Sequence, residues 1–284
     1  MISVLVTGSN GQLGKCLRDV SINKSNIKWI FKSSKELDIT DENSIRKTFE
    51  NNKIDYLINC AAYTAVDKAE SEKDKAFLVN AEGVSFLAKV CKEYDTTLIH
   101  MSTDFVFDGK KRTPYTEMDI PNPINVYGVS KFKGEQYVQD ILKKYYIIRT
   151  SWVYSEYGNN FVKTMLKLTN QKNEISVVND QIGSPTYAGD LANVILNLIT
   201  SNTNSYGLYH YSNEGVASWY DFAKAVFEES KIHIELMPIK TQDYQSLAKR
   251  PVFSVLDKYK VKNELKTQVP YWKDSLKKAI TNIS

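Results

Sequence analysis

Tyr127 and Lys131 lie four residues apart in Tyr127-Gly128-Val129-Ser130-Lys131, a spacing that places both on one face of a helix. A free phenol titrates near pH ~10 and is a poor proton donor at neutrality. A cation about 4 Å away, at an effective dielectric near 20, favours the phenolate by roughly 4 kcal/mol, or about three pKa units. The spacing therefore predicts a tyrosine acid tuned towards neutrality by its lysine. Gly8-Ser9-Asn10-Gly11-Gln12-Leu13-Gly14 directly follows the apolar run Ile2–Val6. Glycines there permit a tight turn, close backbone approach to a pyrophosphate and close helix–strand packing. The N–H groups that open the next helix attract the phosphate. The spacing is GxxGxxG rather than GxGxxG, and alone it equally describes an ordinary strand-to-helix turn. The Tyr–Lys pair also arises by chance in a chain with 18 Tyr. Together, in this order, the two point to nicotinamide-dependent reduction of a carbonyl.

Other segments could serve the same chemistry. Asn59-Cys60-Ala61-Ala62-Tyr63-Thr64 follows an apolar run, and its small residues let a ligand approach the strand end or simply pack the core. Ser102-Thr103-Asp104 closes another run. Its hydroxyls suit a substrate carbonyl, and the same residue types form turns and caps. Lys32-Ser33-Ser34-Lys35 follows Ile27–Phe31 with no acid before Glu36. An acid at that place would bond an adenosine 2′-hydroxyl and repel a 2′-phosphate. Two lysines and two serines there predict NADPH over NADH, with both used.

Positioning these residues requires strands that end in line. Apolar runs Ile2–Val6, Ile27–Phe31, Asp55–Cys60, Thr97–Ser102 and Tyr145–Arg149 alternate with helical patterns such as Ser44–Asn51 and Ala76–Tyr94. The rhythm predicts an α/β fold with a doubly wound parallel sheet, its strands buried on both faces. Thr40 or Asp41 can cap the Ser44–Asn51 helix, and the Tyr127 helix should begin beyond Pro121 and Pro123. After residue 150 the alternation fades. Asn160–Gln171, Ala188–Thr200, Ser218–Glu229 and Tyr271–Thr281 read as helices, and Ile175–Val178 and Leu208–Ser212 as short strands. The expected organisation is a dinucleotide-binding unit over 1–150 and a smaller mixed α/β substrate-binding region over 151–284, with some segments returning to the first core.

A hydrophobic content of 42% and a net charge of +4 over 284 residues are ordinary for a globular chain. No basic stripe argues for nucleic acid, and no apolar run approaches the ~20 residues of a membrane span. The opening Met1–Gly8 is too short for a signal sequence. Cys16, Cys60 and Cys91 lack metal or disulfide spacing, and fit a cytoplasmic protein. His100, His210 and His233 are too scattered for a metal site, so none is expected.

At this point a resemblance emerges. The glycine turn, Cys60-Ala61-Ala62-Tyr63-Thr64-Ala65-Val66-Asp67-Lys68-Ala69-Glu70, Ser102-Thr103-Asp104-Phe105-Val106-Phe107-Asp108-Gly109 and the Tyr127–Lys131 stretch resemble the extended short-chain dehydrogenase/reductases, a Rossmann superfamily. Arg149-Thr150-Ser151-Trp152-Val153-Tyr154, Gly158-Asn159-Asn160-Phe161 and Asp180-Gln181-Ile182-Gly183-Ser184-Pro185-Thr186 are similar to the dTDP-4-dehydrorhamnose reductases. The resemblance spans nearly the whole chain. It implies hydride transfer from NADPH or NADH to the C4 carbonyl of a dTDP-linked deoxysugar, the last step of dTDP-L-rhamnose synthesis for cell-surface polysaccharide. It implies Tyr127 as proton donor, Lys131 on the nicotinamide ribose and Thr103 on the carbonyl. The implied cofactor contacts are Gly8, Asn10, Gly11, Gln12, Leu13, Gly14, Lys32, Ser33, Asp38, Ile39, Ala61, Ala62 and Tyr63, with Tyr127 and Lys131. Asp104 and Trp152 would touch the sugar nucleotide, as would Asn160, Gln181 and Arg250. The Arg250 guanidinium suits a diphosphate, or alternatively a surface ion pair. Three departures stand out, the first being Lys32-Ser33-Ser34 at the end of the second strand, where many relatives carry an acid. Phe105 replaces a frequent Tyr, and Lys15-Cys16 occupies the place after the third glycine, where some relatives have glutamates for magnesium at a dimer contact. A homodimer is one implied assembly. An enzyme for another nucleotide-linked 4-keto-6-deoxysugar, or a non-catalytic dinucleotide-binding regulatory subunit, remains an alternative. Tyr127, Lys131 and Thr103 together argue against the latter.

Overall fold

The structure is a computed structural model describing residues 1–201 and 203–283. Its first half runs β1 (Ile2–Thr7), α1 (Gln12–Ser21), β2 (Ile27–Phe31), α2 (Glu42–Glu50), β3 (Tyr56–Asn59), α3 (Val66–Ala69), α4 (Lys73–Phe77), α5 (Gly83–Glu93), β4 (Thr97–Thr103), α6 (Val126–Ile141) and β5 (Tyr145–Thr150). Strand Gly207–His210 adds to the edge, giving a six-stranded sheet in the order Gly207–His210, β5, β4, β3, β1, β2. Every neighbouring pair is parallel, as the doubly wound reading predicts. Alternate strand residues face opposite helical layers. Val4, Val6, Ile58 and Ile99 pack with α1 and helix Ala188–Thr200. Leu5, Leu57, Leu98 and Ile147 pack with α2, α5 and α6. Asp41 caps α2, its side chain accepting from Asn43 N.

The helix expected over Ala76–Tyr94 contains a π turn, Leu78–Glu82, between α4 and α5. Asn80 explains it. Its Oδ1 accepts from Tyr63 N at 2.9 Å, and its Nδ2 donates to Tyr63 O at 3.0 Å and Ser130 Oγ at 3.1 Å. One extra residue in the turn aims this side chain at the loop after β3 and at α6.

The second half interleaves with the first. Helix Ala188–Thr200 packs on α1, and Tyr209 and Val261 enter the same core. The remainder forms its own core around Tyr154, Val162, Phe222 and Trp272. The elements not expected here include strand Glu235–Ile239, parallel to Glu174–Val178, and helix Tyr259–Glu264. The strand carries Pro238 and is largely exposed, so it has neither the composition nor the burial of a core strand. No helix among the described residues is long and apolar enough to cross a membrane.

Candidate active site

Helix α6 begins where the prolines release the chain. Asn125 caps it, its Oδ1 accepting from Gly128 N at 2.8 Å, and Glu70 accepts from Val126 N at 2.9 Å. Gly128 lets this first turn lie against the turn after β4, since a Cβ there would overlap the Phe105 carbonyl oxygen and press on Pro123 Cβ at 3.0 Å. The contact brings the Tyr127 phenol beside Thr103, whose hydroxyl favours the phenolate. Phe105 meets the Tyr127 ring edge-on at 5.5 Å.

Tyr127, Lys131, Thr103, Asp104 and Trp152 line one cleft of 480 Å³, whose wall also includes Gly11, Gln12, Leu13, Cys60 and Ala62. Its electrostatics differ from expectation. Burial pushes the Tyr127 phenol up to about 12, with the Thr103 hydrogen bond opposing and Asp104 adding to the rise. Lys131 does not lower it. The Lys131 Nζ donates to Met101 O at 2.6 Å, and burial brings the ammonium down to about 8 against the opposing pull of Glu135. Desolvation prevails over the Coulomb gain expected from the spacing, the ammonium being held at the Met101 carbonyl. Asp104, 2% exposed, is pushed up to about 6 by burial, partly offset by the Ser254 hydroxyl first and the Thr103 hydroxyl second. Its Oδ1 accepts from Thr103 Oγ1 at 3.1 Å.

The glycine turn forms a cradle at the other wall. Gly8 has φ +61, and a Cβ there would lie 2.6 Å from Ala61 N; one at Gly14 would lie 2.6 Å from Ser9 Cα. Gly11 caps α1 in extended conformation with no side-chain bond and no acid in the first helical turn. Only backbone that a side chain would displace, beside open helix N–H groups, meets the requirement for a pyrophosphate. Asn10 is exposed beside it. Gln12 turns away, its Oε1 accepting from Ser155 Oγ at 3.1 Å and Asn160 Nδ2 at 2.9 Å.

The other predicted contacts divide. Tyr63 is tied through its backbone to Asn80 and through its hydroxyl to Glu72 at 3.2 Å. At the adenosine end, Lys32 carries the sheet's bonding on, receiving Ser9 N at 3.1 Å. Ser33 is not free to receive a phosphate as expected. Glu36 Oε2 accepts from Ser33 N at 2.8 Å and Ser33 Oγ at 2.7 Å, and these bonds hold its carboxyl below the usual range. The reason is local: a Ser followed three residues on by Glu closes a capping-type turn. Arg18, missed in the sequence, sits 4.3 Å over the Phe31 ring next to this turn. Asp38 accepts from Thr40 N and Oγ1, and Ile39 is buried against Gly83. Asn160 caps helix Phe161–Thr169 through Lys163 N, which spends its amide inside the protein. Gln181 and Arg250 line a separate cavity of 350 Å³ with Phe161, Trp219 and Tyr244. There Gln181 Nε2 donates to Thr241 Oγ1 at 3.1 Å, and Arg250 forms the ion pair that was its alternative, with Asp67 at 2.7 Å. Trp152 stacks on Trp219 at 3.6 Å, so one aromatic pair contributes a wall to each cavity. Trp219 and Tyr244 carry no sequence signal beyond being aromatic.

Behind the cleft lies a buried polar chain that sequence reading missed. Glu135 and Arg149 pair at 2.6 Å, Ser102 Oγ donates to Glu135 at 2.5 Å, and Arg149 Nη1 lies 3.4 Å from His210 Nε2. His210 and His100 are fully buried, and Asn59 Nδ2 meets His100 Nδ1 at 3.1 Å. No group of three or more His, Cys, Asp or Glu suited to a metal occurs among the described residues.

A parallel six-stranded sheet with a glycine cradle after β1 and a Tyr–Lys helix after β4 defines an extended short-chain dehydrogenase/reductase. Residues 2–284 match the model of the RmlD substrate binding domain family. A dTDP-4-dehydrorhamnose reductase of Aggregatibacter actinomycetemcomitans is 42% identical over 98% of both chains. Two solved dTDP-4-dehydrorhamnose reductases superpose closely. The Clostridium acetobutylicum protein has TM-score 0.96 at 40% identity over 99% of each chain. The Bacillus anthracis protein, in complex with NADP, has TM-score 0.95 at 41% identity over 99% of this chain and 100% of its own. The chain belongs to the dTDP-4-dehydrorhamnose reductase family.

Proposed function

We propose that the chain reduces the C4 carbonyl of dTDP-4-dehydro-L-rhamnose to dTDP-L-rhamnose, preferring NADPH and accepting NADH. The observation that carries this reading is the convergence of Tyr127, Thr103 and Lys131 on one cleft whose far wall is the glycine cradle. The bound cofactor supplies the hydride. Tyr127 supplies the proton to the C4 oxygen: the phenol is protonated at neutral pH, and the alkoxide that hydride addition produces is a stronger base than a phenolate, so it draws the proton from this weak acid. Thr103 orients that oxygen from its place beside the phenol. Lys131 stays largely cationic at neutral pH; we assign it to the nicotinamide ribose and to stabilising the phenolate that donation leaves. Asp104, in the cleft wall, accepts from a sugar hydroxyl, and Trp152 packs on the sugar nucleotide. Gln181 and Arg250, across the Trp152–Trp219 stack, serve the nucleotide end. Three free cysteines suit work in a reducing cytoplasm. The test is to incubate the protein with NADPH and dTDP-4-dehydro-L-rhamnose, follow the nicotinamide absorbance and identify the sugar. Cofactor oxidation with dTDP-L-rhamnose as product supports the reading, and no oxidation or a different C4 epimer overturns it.

A further inference from the structure

Tyr127, Lys131 and Glu135 are spaced by four along α6 and share one face. The first two reach the cleft. The third lies one turn deeper, 0% exposed, and holds two strands at once. Ser102, which donates to it at 2.5 Å, immediately precedes Thr103 at the end of β4. Arg149, whose Nε and Nη2 donate to it at 2.9 and 2.6 Å, is the β5 partner of Ser102 in the sheet. We propose that Glu135 is a positioning residue for the reduction: it fixes the Tyr127–Lys131 face of α6 against Thr103 and keeps a buried negative charge beside Lys131.

The geometry gives this face two anchors. One is Tyr127 against Thr103, and the other is Glu135 against Ser102 and Arg149. Lys131 lies between them, its ammonium bonded to the Met101 carbonyl. The groups facing Lys131 are few. Cys60 approaches from the end of β3 and His100 from β4, Glu135 and Tyr127 share its helix, and Arg149 stands behind Glu135 on β5. Burial holds both Cys60 and His100 neutral at neutral pH. Glu135 therefore supplies the nearby carboxylate that opposes the desolvation of the ammonium. The chain continues to His210, whose Nδ1 lies 3.0 Å from the Tyr115 carbonyl, so the Arg149 side of the anchor is itself held.

The inference rests on the proposed reading of Tyr127 and Lys131, and two readouts separate the failures. Glu135→Gln removes the charge and keeps the shape. With lysine-selective isotope labelling, the Lys131 titration followed by NMR should move down by at least about half a pH unit, and the alkaline limb of kcat should move with it. A folded Glu135→Gln protein with an unmoved Lys131 titration overturns the proposal, and this readout needs no turnover. If Glu135→Gln does not fold, Ser102→Ala decides, since it cuts only the tie to β4. It should lower kcat about five-fold or more, the scale of one lost hydrogen bond, with KM within two-fold. Wild-type kcat in Ser102→Ala overturns the positioning role. Undiminished turnover in Tyr127→Phe would instead remove the catalytic reading and leave the Lys131 titration to judge Glu135.

Discussion

Asp104 should make the free protein less stable above pH 6 than an uncharged side chain of the same shape would. The magnitude follows from its carboxyl, raised from 3.8 to about 6 by burial. Each pKa unit corresponds to about 1.4 kcal/mol, so the full effect is about 3 kcal/mol. The sign follows from proton binding. Between pH 4 and 6 the folded protein holds a proton on Asp104 that the unfolded chain has lost, so stability falls as pH rises through this window. Above 6 the penalty is complete, and below 4 it is absent. Asp104→Asn removes the titration and leaves a constant offset from its buried amide. The useful quantity is therefore the mutant-minus-wild-type stability at pH 8, less the same difference at pH 5. Urea titrations at both pH values should give about 1–1.5 kcal/mol for it, roughly half of the total, with the mutant gaining at pH 8. A difference within about 0.3 kcal/mol of zero would refute the claim that this carboxyl is held in a dry wall of the cleft. The mutant should also lose turnover, the usual exchange of stability for function at a substrate site.

Gly128→Ala should lower kcat about 100-fold, because relieving the overlap with the Phe105 carbonyl shifts Tyr127 relative to Thr103 by about 1 Å; kinetics within three-fold of wild type would contradict this, and Val129→Ala on the exposed side of the same turn serves as control. NADPH should exceed NADH about ten-fold in kcat/KM, and Lys32→Glu should erase or reverse the preference; equal efficiency in the wild type would show that this turn, closed by Glu36 on Ser33, does not read the 2′ position. Exhaustive chelation should leave turnover unchanged, since the proposed proton transfer runs from Tyr127 under Thr103; complete loss restored by magnesium would overturn that.

The sheet was readable because its strands are continuous apolar runs separated by capped helices, and Ile27–Phe31 and Ala188–Thr200 were bounded to the residue. The cradle and the Tyr–Lys pair were readable because their spacing is local. What was not readable depends on contacts between distant segments. The π turn at Leu78–Glu82 answers to Asn80 bonding Tyr63 and Ser130, residues 17 and 50 positions away. Tyr127 was expected near neutrality because spacing fixes a helical face but not where a flexible ammonium points, and Lys131 points at Met101. Glu135 shares the period of Tyr127 and Lys131, but nothing local marks it out, because its partner Arg149 comes from β5. Arg250 was balanced between a phosphate and an ion pair, and only the fold brings Asp67 to it.

The central claim is that Tyr127 is the proton donor. Its most direct test is Tyr127→Phe, assayed with NADPH and dTDP-4-dehydro-L-rhamnose at saturating concentrations, with cofactor Kd measured alongside by fluorescence. Loss of a general acid typically costs ~10²–10⁴-fold. The expected result is a fall of that size in kcat with Kd for NADPH within two-fold of wild type. A variant that keeps more than about a third of wild-type kcat would contradict the account.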